Sequence, residues 1–246
     1  MSLSRNDDIR RRGVDVSMIK VMAISDLHGN LLDINNFEVH DITIICGDIS
    51  PLKIQASNKK MKKWLVNEFK PWAESIPSRK VYFIAGNHDW VFSRDRDFGP
   101  SIFPLEDKVS YLCQSGDTFY HYDKEYKIFG TPYCKQFYNW AFMEEESLLR
   151  SLYSVIPDNL DILITHDAPY GVSDILLQKE YYTGDHIGNK PLMESVIEKN
   201  PKYLLHGHLH STSREFEDLN TTKVINCSVL NENYNIVYKP IYFNLE

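Results

Sequence analysis

Short apolar runs that end in polar turns alternate with helical segments along most of this chain. Strand-like runs span residues 19–24, 42–46, 80–85, 126–130, 161–165 and 203–206. Helical spacing of apolar side chains appears at about residues 58–75, 141–153 and 190–199. Strands that alternate with helices indicate a layered α/β fold, and nearly continuous apolar runs are typical of strands covered on both faces. We therefore predict an α/β protein with a buried sheet.

The pattern changes after residue 211, where shorter β-like pieces are separated by Asn and Asp turns. These pieces span residues 213–217, 222–227 and 235–243. They predict a second sheet packed on the first. Residues 1–17 are polar and mixed in charge, so we expect a disordered N-terminal arm or a cloning leader. Because the candidate site residues run from position 26 to position 210, we expect residues 18–246 to form a single domain.

Metal-binding side chains follow five of the strand-like runs. These segments are Asp26-x-His28, Gly47-Asp48, Gly86-Asn87-His88-Asp89, His166 and Gly207-His208-x-His210. Ligands in open α/β sheets bind at the carboxyl ends of the strands, and five of the nine histidines fall there. The mixed donors suit divalent transition metals held about 3.5 to 4 Å apart around a shared carboxylate and a shared water. The hypothesis is therefore a two-metal hydrolytic centre.

Charge, hydropathy and cysteine content disfavour several classes of protein. The formal net charge is −7, with 34 acidic and 27 basic side chains. Broad nucleic acid binding is disfavoured, because its affinity comes largely from Lys and Arg that neutralise phosphates. No apolar stretch approaches the roughly 20 residues that span a bilayer, and no secretory signal opens the chain. The four cysteines lack CxxC spacing and are interpreted as reduced structural thiols, so we expect a cytoplasmic protein without a membrane partner.

The ordered motifs resemble those of the calcineurin-like metallophosphoesterase superfamily. Their order is D-x-H, G-D, G-N-H-D, H and G-H-x-H across residues 26–210. Residues 164–171 (ITHDAPYG) and 224–228 (VINCS) are also similar to the small single-domain branch of metallophosphoesterase-domain-containing (MPPED) proteins. The resemblance implies an α/β fold of two packed mixed β-sheets flanked by helices, a four-layer αββα sandwich.

The resemblance also implies a role for each residue of these motifs. One metal ion would be held by Asp26, His28, Asp48 and His210. The other would be held by Asp48, Asn87, His166 and His208, with Asp48 as the bridge. The two ions would polarise the phosphoryl oxygens and lower the pKa of a shared water, giving hydroxide for in-line attack on phosphorus. His88 would be the general acid that protonates the leaving alkoxide.

One departure from the superfamily pattern narrows the range of possible substrates. Ser/Thr protein phosphatases carry a G-D-x-V-D-R-G segment whose second aspartate orients the catalytic histidine. This chain has Gly47-Asp48-Ile49-Ser50-Pro51 instead, so both that aspartate and the arginine are absent. A protein phosphatase role is therefore disfavoured. Asp89 is the candidate for orienting His88, because it is the adjacent carboxylate.

Substrate contacts outside the motifs are predicted from position alone. Asn30 could hydrogen-bond a phosphate oxygen or close the turn after His28, and Arg94 and Arg96 could clamp phosphate or remain solvated. The arginines belong to residues 91–125, which show no regular period. Because loops that leave an active-site motif often form its wall or lid, we expect this segment to contact the substrate.

The resulting hypothesis is a dinuclear-metal-dependent phosphoesterase. Its partner would be a small phosphate ester, with a phosphodiester favoured over a phosphomonoester. The two cofactor ions would be Mn, Fe, Zn, Co or Ni, with Mn favoured in vitro. The alternatives are a nuclease of the same chemistry, which would need a basic groove, and a non-catalytic interaction scaffold, which would be expected to have lost ligands. The oligomeric state is not predicted.

Overall fold

Two mixed β-sheets pack face to face in the computed structural model, which describes residues 18–177 and 184–245. The predicted arm at residues 1–17 lies outside the described residues. The strands are β1 (Ile19–Ile24), β2 (Ile42–Ile45), β3 (Lys80–Phe83), β4 (Val109–Tyr111), β5 (Ser115–His121), β6 (Lys124–Thr131), β7 (Cys134–Lys135), β8 (Met143–Glu144), β9 (Ile162–Thr165), β10 (Tyr203–His206), β11 (Glu217–Leu219), β12 (Thr222–Asn226) and β13 (Ile241–Leu245).

The helices lie between these strands. They are α1 (Asn58–Trp64), α2 (Lys70–Ser75), α3 (Trp90–Arg94), α4 (Phe98–Ile102), α5 (Glu146–Tyr153) and α6 (Lys190–Lys199). A π-helical segment, Leu65–Phe69, joins α1 to α2, so the helix predicted at 58–75 is confirmed as one nearly continuous element. Short 3-10 helices cover Ile34–Asn36 and Leu52–Ile54. Within the described residues, no helix is long and apolar enough to cross a membrane.

Each sheet has a parallel centre and at least one antiparallel edge. Across the described residues, the first sheet has the order β13-β1-β2-β3-β4 and the second has the order β11-β12-β10-β9-β6-β5. Strand β13 runs antiparallel to β1, while β1, β2, β3 and β4 are parallel neighbours. In the second sheet β12, β10, β9 and β6 are parallel neighbours, and β11 and β5 run antiparallel at the edges. The predicted mixed sheets are therefore confirmed.

Alternate side chains of the central strands enter two different cores. In β1, Val21 and Ala23 belong to the cluster shared by strands of both sheets. Met22 and Ile24 belong to the cluster that includes the helical side chain Met61. This division follows from the two-residue period of a strand, which sends successive side chains to opposite faces. Burial on both faces explains the uninterrupted apolar runs, since each buried aliphatic side chain contributes roughly 1.5–3 kcal/mol.

Two sequence predictions need correction. The strands after residue 211 do not form a sheet of their own, because β11 and β12 extend the second sheet while β13 returns to the edge of the first. The lack of regular structure predicted for residues 91–125 is wrong, because they contain most of α3, all of α4, strand β4 at an edge of the first sheet and strand β5 at an edge of the second. The elements here are only three to seven residues long, and a search for long periods misses them. Contact of residues 91–125 with the substrate stays a prediction.

Candidate metal centre

The predicted ligand loops meet where the carboxyl ends of the strands of both sheets come together. The loops after β1 and β2 are joined by three backbone hydrogen bonds, from Asp26 N–H to the Gly47 carbonyl at 3.1 Å, from His28 N–H to the Asp48 carbonyl at 2.9 Å and from Gly29 N–H to the Ile49 carbonyl at 2.9 Å. The loops after β9 and β10 are joined in the same way, from Gly207 N–H to the His166 carbonyl at 3.1 Å. Parallel neighbours end at the same edge, so ligands distant in sequence become neighbours.

Several candidate ligands have a backbone conformation that ordinary residues avoid. The φ angles of Asp26, His28, Asp48 and His208 are 57°, 43°, 50° and 67°. A non-glycine residue in the left-handed region costs of order 1–3 kcal/mol and persists only where the surrounding structure imposes it. Here the side chains help to impose it, because His88 N–H donates to Asp48 Oδ1 at 2.8 Å and His208 N–H donates to Asp26 Oδ2 at 3.1 Å. Such strain is typical of functional sites.

Glycines allow the loops to approach each other at two points. Gly47 has a φ of +98°, and a Cβ there would lie 2.6 Å from His166 Nδ1. A Cβ on Gly207 would lie 2.0 Å from Ser25 Oγ and 2.5 Å from Asp26 Oδ2. Any larger residue at either position would therefore push candidate ligands apart.

One group of candidate ligands is formed by Asp26, His28 and His210, all buried. Their ligand atoms lie within 4.8 Å of one another, and His210 Nε2 is 3.4 Å from Asp26 Oδ1. His210 Nδ1 is turned toward the Asn231 carbonyl at 3.1 Å. Both ring nitrogens of His28 are buried and have no hydrogen-bond partner. Because a buried imidazole without a partner is costly, a cation bound at His28 fits this geometry.

A second group lies around His166. Its Nε2 is 3.3 Å from Asp48 Oδ2 and 3.0 Å from Asn87 Oδ1. Its Nδ1 lies 2.7 Å from the Cys46 carbonyl, which directs Nε2 toward Asp48. The His208 ring is near, with its centroid 5.2 Å from that of His166. All four side chains are thus brought together as the sequence predicted.

The Asp48 carboxylate lies between these two groups. Its Oδ2 is 3.5 Å from His28 Nε2 and 3.3 Å from His166 Nε2, and the carboxylate side chain is 2% exposed. Asp26 is also placed centrally, because its ligand atoms fall within 4.8 Å of those of both Asp48 and His166. The sequence prediction limited Asp26 to the group containing His28 and His210. Two buried carboxylates therefore share the middle of the site.

These buried charges perturb one another strongly. Burial alone would raise the pKa of Asp48, but the charges of His166 and His88 hold it well below its usual value. Burial alone would lower the pKa of His166, but the Asp48 carboxylate outweighs it and raises that pKa to about 10. Burial lowers the pKa of His28 to about 4. Positively charged imidazolium groups thus stabilise the negative charge of the buried carboxylates, and bound divalent cations would stabilise that charge in the same way.

His88 borders the centre without joining either ligand group. Its Nε2 lies 4.0 Å from Asp48 Oδ2, and its side chain is 13% exposed. The other ring nitrogen, Nδ1, lies 2.7 Å from the amide oxygen of Gln55, so Nδ1 donates and Nε2 is directed into the site. An imidazole held in this way at the edge of the centre can transfer a proton to a bound group.

The hypothesis that Asp89 orients His88 is wrong. The Asp89 carboxylate instead accepts hydrogen bonds from the backbone N–H groups of Gly86, Ile49 and Ser50 at 2.8, 3.2 and 3.0 Å. It therefore ties the loop after β3 to the loop after β2. The contact with His88 is made by Gln55, which sequence reasoning missed because a single Gln after an apolar stretch carries no recognisable pattern.

The predicted substrate contacts are not gathered at the centre. The Asn30 amide donates to the Leu27 carbonyl at 2.8 Å, which closes the turn after His28. Arg94 donates to the Ala56 carbonyl at 3.2 Å and to Asn58 Oδ1 at 3.3 Å. Arg96 is exposed, and its charge acts on the Cys113 thiol. A phosphate clamp by these arginines stays a prediction without a supporting contact.

Metal binding to the protein is expected to release protons. At pH 7.5 His166 is protonated in the metal-free protein, since its pKa is about 10, and His210 also has a raised pKa because of Asp26, against the effect of burial. Imidazoles must be neutral to bind a metal. Calorimetric titration with Mn²⁺ in buffers of different ionisation enthalpy should therefore show release of about one to two protons. The apparent affinity for Mn²⁺ should weaken about tenfold for each unit by which the pH is lowered, for each proton released. An affinity that does not change between pH 6 and 8 would contradict this expectation.

Comparisons of the sequence with known proteins point to phosphoesterases. A family model described as calcineurin-like phosphoesterase matches residues 19–212. Metallophosphoesterase domain-containing protein 1 of Homo sapiens is 29% identical over an alignment that covers 92% of this chain and 71% of that protein. UPF0046 protein T07D4.2 of Caenorhabditis elegans is 26% identical, with 92% of this chain and 60% of that protein covered.

Solved structures share the fold at much lower identity. TT1561 of Thermus thermophilus superposes with a TM-score of 0.58 at 14% identity, covering 93% of this chain and 100% of that chain. Phosphopantetheinyl hydrolase from Mycobacterium tuberculosis superposes with a TM-score of 0.53 at 13% identity, covering 89% of this chain and 92% of that chain. At such identities the likeness establishes the fold alone. The predicted αββα architecture is confirmed by it.

Proposed function

The chain belongs to the calcineurin-like phosphoesterase family, and we propose that it hydrolyses a small phosphate ester at a centre of two divalent metal ions. One observation carries the proposal: the buried Asp48 carboxylate lies within 3.5 Å of histidines from both ligand groups. A carboxylate has two oxygens and can bridge two cations, whereas an imidazole or an amide oxygen serves one. Of the two central carboxylates, Asp48 is the one whose Oδ2 lies beside histidines of both groups. The position of Asp48 therefore supports a dinuclear centre over a mononuclear one.

The proposed ligands divide into two sets that share Asp48. The first set is Asp26, His28, Asp48 and His210. The second set is Asp48, Asn87, His166 and His208. Imidazole, carboxylate and amide donors together suit Mn, Fe, Co, Ni or Zn, and we expect Mn²⁺ to support activity in vitro. When bound, two such ions polarise phosphoryl oxygens and lower the pKa of a shared water.

His88 is the proposed general acid. Hydrolysis breaks the bond between phosphorus and the ester oxygen, and that oxygen keeps the electron pair and needs a proton. His88 Nε2 faces the centre, 4.0 Å from Asp48 Oδ2, and can supply the proton there. The Gln55 amide oxygen at Nδ1 holds the ring in this orientation. Gln55 thus takes the positioning role that an aspartate has in the protein phosphatases.

A small substrate is favoured over a polynucleotide. The net charge of −7 opposes a long anionic ligand, and neither Arg94 nor Arg96 contacts a candidate ligand among the described interactions. The scaffold alternative is disfavoured because every ligand position and His88 are filled. We also propose a cytoplasmic location, since all four cysteines are free thiols and reducing compartments keep thiols in that state.

Hydrolysis of model esters tests the proposal. Purified protein stripped with chelator and reloaded with Mn²⁺ should hydrolyse bis-(p-nitrophenyl) phosphate faster than p-nitrophenyl phosphate, because we propose a diester substrate. The same samples should be assayed with 2′,3′-cyclic nucleotides to compare a strained small diester. Activity should disappear with chelator and return with metal. No turnover of any of these esters with Mn, Fe, Co, Ni or Zn would favour the scaffold alternative.

A further inference from the structure

An aromatic wall stands beside the proposed proton donor. The Trp140 ring lies on His88, with centroids 4.5 Å apart and planes inclined by 44°. Trp90 extends the wall, with its centroid 6.4 Å from that of Trp140. The Arg94 guanidinium lies over Trp90 at 4.4 Å from the ring centroid. We call these two tryptophans, Trp90 and Trp140, the indole wall.

Three chain segments build the wall and the proton donor together. Arg94 donates to the carbonyl of Ala56, which directly follows Gln55, the partner of His88. On the other side, Ala141 N–H donates to the Asn87 carbonyl at 3.0 Å, which ties the Trp140 loop to the residue before His88. These contacts hold the Trp140 ring against the proposed proton donor, His88.

Core packing does not account for Trp140. Among the described residues, Trp140 belongs to neither buried hydrophobic cluster nor to the side chains packed against them, whereas Trp90 packs against one. Trp140 is half-buried, and its loop includes Tyr138 and Phe142 with φ angles of 65° and 58°. Left-handed non-glycine residues carry strain that is often retained for function. A partly exposed indole held in a strained loop against a proton donor indicates a ligand-binding surface.

Resting on the proposed function, we propose that the indole wall is the subsite for the leaving group, and that this group is a planar unsaturated ring. His88 must reach the ester oxygen as the bond to phosphorus breaks, so the carbon attached to that oxygen lies beside His88. The His88 ring has the candidate ligand His28 and Trp140 as ring neighbours, with centroids 5.0 and 4.5 Å away. Of these two rings, Trp140 is the one that belongs to neither ligand group and is partly exposed. A flat aryl or heteroaromatic group can form an offset π-stack on an indole, whereas a saturated ring of equal size offers only C–H contacts to the indole face.

A different aromatic side chain borders the first ligand group. Tyr234 has its ring centroid 5.0 Å from that of His28 and 5.3 Å from that of His210. It therefore borders the first ligand group and not the proton donor. We assign the indole wall to the leaving group because Trp140 contacts His88, whereas Tyr234 contacts the candidate ligands His28 and His210.

Two matched phosphonates test this subsite without turnover. Benzylphosphonate carries a CH₂ group where phenyl phosphate has its ester oxygen, and cyclohexylmethylphosphonate has the same length with a saturated ring. Their dissociation constants for Mn²⁺-loaded protein should be measured by calorimetry. We expect benzylphosphonate to bind about fivefold more tightly, which is the lower end of the factor by which stacking of a base on an aromatic side chain strengthens binding.

Variants in one loop separate stacking from general effects. Trp140→Ala should remove the preference for the planar ring, and Trp140→Phe should retain part of it. Tyr138→Ala is the control, because Tyr138 is 76% exposed in the same loop and contacts Phe137 rather than His88. It should keep the wild-type preference. Circular dichroism melting curves establish that each variant is folded.

The outcomes distinguish this subsite from the proposed function. Equal binding of both phosphonates to the wild-type protein, or an undiminished preference in folded Trp140→Ala, would overturn the leaving-group subsite and leave the metal centre standing. Binding of neither phosphonate to Mn²⁺-loaded protein, together with no hydrolysis of any model ester, would overturn the proposed function and the subsite with it.

Discussion

Replacing Asp48 by asparagine should remove nearly all phosphoesterase activity and the ability to retain two metal ions. Loss of a residue that hydrogen-bonds to a metal ligand lowers metal affinity or activity by about 10–100-fold. Loss of the bridging carboxylate, which is itself a ligand, should therefore lower activity by more than about a hundredfold. Asparagine keeps one oxygen that can accept from His88 N–H, now bonded to Asp48 Oδ1 at 2.8 Å. The local fold should therefore survive, while the second anionic oxygen, which faces His28 and His166, is lost.

Metal content and kcat/KM measured on the same dialysed samples check this expectation. The wild-type protein should retain about two Mn²⁺ per chain, and the variant fewer than one under identical dialysis. A matched control is Asp161→Asn, since Asp161 is also a buried carboxylate but lies just before β9, at the end opposite His166. It accepts from Lys127 N–H and Lys202 at 2.8 Å each, so this variant should lose stability and keep metal and activity. Full metal occupancy in Asp48→Asn would refute the bridge.

Replacing His88 by alanine should reduce kcat while leaving metal binding intact. Loss of a general acid costs about 10²–10⁴ in rate. With bis-(p-nitrophenyl) phosphate the loss should lie near the lower limit, because p-nitrophenolate leaves without much help from a proton. With diphenyl phosphate, whose leaving group is less acidic, the loss should be larger. Metal binding should persist because His88 Nε2 is 4.0 Å from Asp48 Oδ2 and belongs to neither ligand group.

The comparison of the two esters is the decisive measurement for His88. A purely structural role would lower both rates by the same factor, whereas a proton donor makes the loss depend on the leaving group. His121→Ala serves as the control, because His121 ends strand β5 at the outer edge of the second sheet and should leave both rates unchanged. Equal losses for the two esters in a metal-loaded His88→Ala protein would count against the proton-donor role.

The sequence alone predicted the fold class and the set of candidate ligands. Both depend on local patterns: alternation of strands with helices gives the layered fold, and parallel neighbouring strands end at one edge, where their following residues must meet. For that reason Asp26, Asp48 and His166, which are 22 and 118 residues apart along the chain, were correctly expected to lie close together.

The tertiary structure alone decided which side chains touch. Gln55 and not Asp89 contacts His88, the final strand β13 returns to the first sheet, and Trp140 packs on His88 from a loop 52 residues away. None of these contacts produces a period or a motif, because each depends on the path of an irregular loop and on the rotamer at its end. Strand patterns determine where a chain segment ends, but the folded loops determine what its side chains meet there.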